Sequence, residues 1–173
     1  VQADVRDAAT MRQALANCDA VVHAAAGLPL WKPQEICSVN LEGTRNVLQA
    51  AKDLKTPRVI HISSTAVYGI PEHHPLNEAD PMHGVGPYGK SKVQAEILCQ
   101  RARQNGQWVS ILRPKTFIGP ERLGVFQILY DWVSEGRRIP VIGSGNNRYQ
   151  LLAVEDLVSA IQLVIQSVQI GSK

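Results

Sequence analysis

The chain has 173 residues, 45% of them hydrophobic and 19% charged, with a net charge of +3. This composition suits one globular domain with a real core and argues against disorder. No apolar run approaches the ~18 residues of a membrane span, and the basic residues form no block, so a nucleic acid or a membrane is not the expected partner.

The elements alternate along the chain. Residues 1–5 read as the tail of a strand entering a turn. Residues 20–25 are an unbroken apolar run of strand length. A helical pattern follows over 39–54, with Val47, Leu48 and Ala51 on one side. Residues 58–63 are β-branched and strand-like, and 65–86 form a long polar loop rich in Pro, Gly and His. A helix is predicted over 87–104, a strand over 107–112 and a helix over 125–135, stopped by Gly136. Residues 139–142 are a short strand candidate before a turn at 143–147. The last helix opens at Glu155 and Asp156, acids well placed for its N-terminal dipole. It presents Leu157, Ile161, Val164, Ile165 and Val168 as one face. Strands alternating with helices predict an α/β fold, a Rossmann-type doubly wound parallel sheet, with ligands at the carboxyl ends of its strands.

Chemistry-bearing residues fall where that rule puts them. Ser63 and Ser64 close one strand, and Tyr88 and Lys92 sit four apart at the start of the next helix, on one face. A phenol titrates near ~10 when unperturbed, and a neighbouring ammonium favours its phenolate. Hydroxyl, phenol and ammonium can thus meet in one cleft and take a proton from a substrate alcohol. On spacing alone, Tyr88 and Lys92 are also compatible with an exposed pair on an ordinary helix.

Seven segments in order resemble the extended short-chain dehydrogenase/reductases, the NAD-dependent epimerase/dehydratase group. They are 3–7, 22–26, 39–44, 63–69, 87–92, 113–120 and 148–157. The resemblance covers nearly all of the chain. It implies that Tyr88 is the catalytic base, that Lys92 holds the nicotinamide ribose and tunes Tyr88, and that Ser64 orients substrate. It implies an NAD or NADP site with Asp4 at the adenine amine, Val5 on the ring, Ala24, Ala25 and Ala26 along the cofactor, Asn40 behind the site and Pro114 by the carboxamide. Thr65, Thr116 and Arg148 would meet substrate, with the Arg148 guanidinium on a phosphate. Many nucleotide-sugar members have Asn where this chain has Thr116.

The implied substrate is a small molecule, a nucleotide sugar first and a small carbonyl compound reduced by NADPH second. A non-catalytic NAD(P)-sensing protein on the same fold is the third reading, and retention of Ser64, Tyr88 and Lys92 counts against it. The family's glycine-rich phosphate loop occurs nowhere in the sequence. The chain is therefore expected to be a segment of a longer protein, with 1–120 a partial dinucleotide-binding domain and 121–173 the start of a substrate-binding region and a returning helix. A homodimer is an assembly the resemblance admits.

The remaining residues have plainer readings. Cys18, Cys37 and Cys99 are odd in number and widely spaced, which suggests neither disulfides nor zinc and fits a reducing cytoplasm. His61 lies mid-strand and is expected to pack against a neighbour. His73, His74 and His83 lack the spacing of metal ligands, so no metal is predicted. Trp31 either lines the substrate pocket or caps the core.

Overall fold

Asp7 starts the first helix, α1 (Ala8–Ala14), by accepting the Ala9 and Thr10 N–H groups on its carboxylate at 2.9 and 3.3 Å. The structure, a computed structural model, describes residues 1–120, 126–141, 143–146 and 149–167. Residues 1–4 form no strand, while the expected turn is present at 5–6.

Three parallel strands carry the larger unit: β1 (Val21–His23), β2 (Val59–Ile62) and β3 (Val109–Leu112), side by side in that order. The register sets His23 beside His61 and His61 beside Ile111. Strand β1 is shorter than the apolar run predicted: the chain leaves the sheet after His23, and Ala24–Ala26 become the exit loop. The helical run after it is longer than predicted. It begins with α2 (Pro33–Cys37), passes through a π-helical turn (Ser38–Glu42) and continues as α3 (Gly43–Asp53). Pro33 starts it, because a first-turn proline gives up an N–H that would have no partner there anyway.

Helix α4 (Gly86–Gln104) returns the chain from β2 to β3. Leu48 and Ala51 of α3, Val59, Val109, and Cys99 and Ala102 of α4 form one core cluster. Met11, Val21, Val47 and Ala50 form a second. Ile60, on the opposite face of β2 from Val59, is also fully buried, as expected of a parallel strand covered on both sides.

The chain divides into two compact units, Val1–Arg113 with Ile161–Lys173, and Pro114–Ala160. The second contains a two-stranded parallel ladder, β4 (Phe117–Ile118) and β5 (Leu152–Ala153), and helix α5 (Phe126–Ser134). Helix α6 (Val154–Gln166) follows β5, with Glu155 and Asp156 in its first turn. It buries Leu157 and Val164, with Ile161 and Ile165 half-buried; Val168 lies outside the described residues. The strand predicted at 139–142 is a correction: residues 139–141 form none and are exposed, and Ile142 lies outside the described residues. Pro140, in its middle, has no N–H to give a ladder.

Three crossings of backbone depend on glycine. A Cβ on Gly43 would lie 2.6 Å from the Val5 side chain, so its absence lets α3 close on Val5. A Cβ on Gly84 would lie 2.4 Å from the Gly89 carbonyl oxygen, and one on Gly89 would lie 3.0 Å from that of Ala66. At Gly84 the obstacle is backbone inside a helix, which cannot swing aside. Gly84→Ala should therefore destabilise the protein by roughly 2–3 kcal/mol, at the upper end of the overpacking range, read as a lowered urea midpoint with unchanged m-value.

Candidate active site

The carboxyl end of β2 is fastened to α4 by consecutive residues. The Ile62 carbonyl accepts from Lys92 Nζ at 3.0 Å, and the Ser63 hydroxyl donates to Glu96 Oε1. Ser64 follows in extended backbone and caps a short 3₁₀ turn (Thr65–Tyr68), its Oγ accepting the Ala66 N–H at 3.1 Å. The first turn of α4, which carries Tyr88, rests on that 3₁₀ turn through the close approach of Gly89 to Ala66. The structure thus brings Ser64, Tyr88 and Lys92 to one strand end. Ser64 and Tyr88 are half-buried, and Lys92 is only 2% exposed.

The surroundings of Lys92 set its charge. Burial pushes its pKa down to about 8, while Cys99 and Glu96 act the other way. Two imidazoles on the neighbouring strands feel its charge. The rings of His23 and His61 lie 5.3 Å apart, as their paired register requires. Burial, reinforced by Lys92, lowers the pKa of His23 to about 4. Burial, then His23 and Lys92, holds His61 well below its ordinary value. Both rings are therefore neutral at pH 7. Thr44 donates its hydroxyl proton to the Asn40 carbonyl at 2.7 Å, so it accepts from His23 Nε2 at 3.0 Å and fixes that tautomer. His61 packs against its neighbour as expected, and neither of its ring nitrogens has a partner among the described residues.

Asn40, in the π-helical turn, ties the β1 exit to α4. Its Oδ1 accepts the Gly27 N–H at 2.8 Å, and its Nδ2 donates to Ser91 Oγ at 2.8 Å. Ser91 donates in turn to the Tyr88 carbonyl at 2.7 Å. Asp4, Val5, Ala25 and Ala26 line an open cleft of about 820 Å³ together with Trp31 and Glu35. A volume in the range ~300–1,000 Å³ is that of small-molecule sites in general. Trp31 lines this cleft, half-exposed, with its ring against the buried Gly27. Ala24 is exposed at the strand exit. Val5 is held by Asn46, whose Nδ2 donates to its carbonyl at 3.0 Å. Arg6 bonds the Asp4 carboxylate through its side chain and backbone N–H and holds its pKa down to about 2.

The other predicted residues are placed less tightly. Thr65 opens the 3₁₀ turn, half-buried beside Ser64. Pro114 and Thr116 belong to the second unit, where the Thr116 hydroxyl shares a 2.6 Å hydrogen bond with Tyr149. Arg148 lies outside the described residues. His74 and His83 are exposed, and His73 stands 3.5 Å from Asp80. Among the described residues no three ligating side chains group as a metal site, and no helix is long and apolar enough to cross a membrane.

Sequence reasoning missed Glu96 and Arg113. Glu96 is fully buried and bidentate with Arg113, at 2.9 Å to Nε and 2.7 Å to Nη2. Arg113 Nη1 also donates to the Tyr68 hydroxyl at 2.7 Å and the Glu78 carbonyl at 2.9 Å, pinning the long loop. The signal for Glu96 was present: it continues the face of Tyr88 and Lys92 by four more residues.

Residues 1–173 match the sequence profile of the NAD dependent epimerase/dehydratase family. An uncharacterized protein of Sinorhizobium fredii is 40% identical over 158 residues, which are 90% of this chain and 40% of that protein. The N-acetyl-alpha-D-glucosaminyl-diphospho-ditrans,octacis-undecaprenol 4-epimerase of Escherichia coli is 32% identical over 97% of this chain and 52% of its own length. Among solved structures, DesIV, a dTDP-glucose 4,6-dehydratase from Streptomyces venezuelae with NAD bound, superposes with TM-score 0.88 at 27% identity. That match covers 99% of this chain and 55% of DesIV. The chain spans about half the length of the curated relatives it matches.

The neutral histidines make stability depend on pH with a definite sign. His23 has a folded pKa near 4 against an ordinary 6.5, so between those values the unfolded chain binds more protons. Its contribution is whole above about pH 6.5 and is lost as pH falls toward 4. At 1.36 kcal/mol per pKa unit, that is about 2–3 kcal/mol between pH 7 and 4.5. Urea unfolding at those two pH values should show His23→Gln losing less stability on acidification than the unaltered protein, by about that amount.

Proposed function

The chain belongs to the NAD-dependent epimerase/dehydratase family, and from that membership and the end of β2 we propose that it supplies the catalytic face of an NAD-dependent enzyme acting on a nucleotide sugar. The observation that carries this reading is the buried Lys92 ammonium beneath the turn of Tyr88, beside Ser64. The likeness to enzymes of sugars linked through a diphosphate supports the substrate class.

The residues present fit the adenine and nicotinamide ends of a nicotinamide dinucleotide; this sequence holds no glycine-rich loop for the diphosphate between them. The cleft has the volume of a small-molecule site, its wall at Ala25 and Ala26 is made of small side chains, and Asp4 offers an exposed carboxylate. An ammonium has three donors, and Ile62 takes one from Lys92. In this proposal Lys92 gives another to the nicotinamide ribose, Asp4 accepts from the adenine amine and Val5 packs on its ring. Ala24, Ala25 and Ala26 line the cofactor, Asn40 supports it from behind and Pro114 lies at the carboxamide. When bound, NAD accepts a hydride from the substrate carbon and can return it.

The protein's own task is to move the matching proton. Lys92 favours the phenolate of Tyr88, and Tyr88 takes the proton from the substrate hydroxyl. Ser64 receives the Ala66 N–H on its oxygen, which leaves its own proton for the same substrate oxygen. Thr65, Thr116 and Arg148 are assigned to substrate, Arg148 to its phosphate.

With NAD⁺ and with dTDP-glucose and UDP-glucose as probe substrates, the full protein should lose ~10²–10⁴ in kcat on Tyr88→Phe, the usual contribution of general acid–base catalysis. Its affinity for NAD⁺ should change little. Lys92→Met should weaken both cofactor binding and rate. A Tyr88→Phe enzyme with near-normal turnover would reject Tyr88 as the base.

A further inference from the structure

Lys92 and Glu96 stand one helical turn apart on α4, both behind the end of β2 and both out of water: Lys92 is 2% exposed and Glu96 0%. Buried charges are costly unless paired, and a buried lysine tends to lose its proton. The groups that face Lys92 are few. From β1 comes His23 and from β2 His61, both neutral at pH 7 because burial, with Lys92 beside them, opposes their protonation, so neither adds a charge. From α4 come Tyr88, Cys99 and Glu96. Cys99 would favour the ammonium as a thiolate, yet burial and Glu96 push that thiol up to about 12, so it is uncharged at working pH. Glu96 is left as the negative charge. Its carboxylate is fixed on three sides, by Ser63 Oγ and by Nε and Nη2 of Arg113.

We propose that Glu96 is a positioning residue for the active site: its carboxylate, locked by Arg113 and Ser63, is the buried counter-charge that keeps Lys92 an ammonium directed at the end of β2. This rests on the reading of Lys92 as the cation that serves Tyr88 and the cofactor. The geometry supplies the reason for two contacts that the proton transfer itself does not use. Ser63 Oγ donates to Glu96 and Lys92 Nζ donates to the Ile62 carbonyl, so two consecutive residues at the strand end meet two side chains one turn apart on one helix. The charge is therefore delivered at a fixed distance from the residue that precedes Ser64. Arg113 keeps Glu96 from turning toward Lys92 and closing a tight pair that would take the ammonium away from the cleft.

The test reads the charge of Lys92 directly, in the full protein without cofactor, by the NMR titration of its side chain, assigned by difference from Lys92→Met. In the unaltered protein the midpoint should lie near 8. Glu96→Gln keeps the shape and removes the charge, and should lower the midpoint by about one unit, the lower end of the range for one lost opposite charge. With NAD⁺ as probe, the pH at which its dissociation constant begins to rise should fall by the same shift. Glu96→Asp keeps the charge, and Ser63→Ala keeps the carboxylate and its arginine. Both should hold the midpoint within about half a unit, well inside the range for a lost charge. These two variants carry the test if Glu96→Gln does not fold. A Glu96→Gln protein whose Lys92 titrates where it did before would overturn the proposal and leave Glu96 structural. So would a full shift in Glu96→Asp or Ser63→Ala, which would make strand geometry the cause. Failure of Tyr88 as base leaves this titration untouched, so the two proposals fail separately.

Discussion

One buried ammonium organises the larger unit. Lys92 Nζ reaches past the core to the Ile62 carbonyl and joins the middle strand of the sheet to the helix that leaves it. A charge in that position cannot be held by packing alone. It requires a polar end to the strand, a carboxylate one turn away and neighbours that do not compete for protons. The residues around it supply these in turn: the Ile62 carbonyl, Glu96, and two histidines kept neutral by their own burial.

The loops around this point are shaped by backbone approach. Gly84 lets the end of the long loop cross the first turn of α4 at a distance no Cβ would allow, and Gly89 lets that turn approach Ala66 more closely than most Cβ atoms do. Arg113 then anchors the same loop at Glu78 and Met82 while it grips Glu96. The loop that borders the candidate site and the counter-charge beneath it thus share one guanidinium. Displacing the loop would disturb the charge as well as the cover.

The parts of this arrangement that were legible in the sequence are those with local period. Tyr88 and Lys92 share a helix face because they are four apart, and Ser64 closes a β-branched run, so their placement at one strand end is readable from spacing and a parallel sheet. The pairing of His23 with His61 was not, because strand register joins residues 38 apart and leaves no trace in either segment. Nor was the bond from Glu96 to Arg113, which the fold makes between a helix and the exit of the next strand. The early start of the helical run lies outside the periodic pattern at 39–54: it is set by Pro33, which suits a first turn. The β4–β5 ladder was missed because two-residue strands have too few positions to alternate. The run at 20–25 was overextended because Ala24 and Ala25 are apolar without being core; they are exposed at the cleft edge.

The charges in this core are poorly explained by stability. Replacing a buried ionic group by well-packed hydrophobic residues is often neutral or stabilising by ~1–4 kcal/mol, since desolvation cancels most of the attraction. Lys92, Glu96 and Arg113 carry two positive charges and one negative, so the cluster is not even neutral. A core selected for packing would place leucine and methionine there, as it does a few residues away around Leu48, Val59 and Val109. The surplus positive charge lies at the carboxyl end of a parallel strand, where such sheets bind ligands. There it can stabilise a phenolate on the same helix face or a ligand oxygen in the cleft. Destabilising a core to hold one cation at a binding edge is the pattern expected of a site built for chemistry.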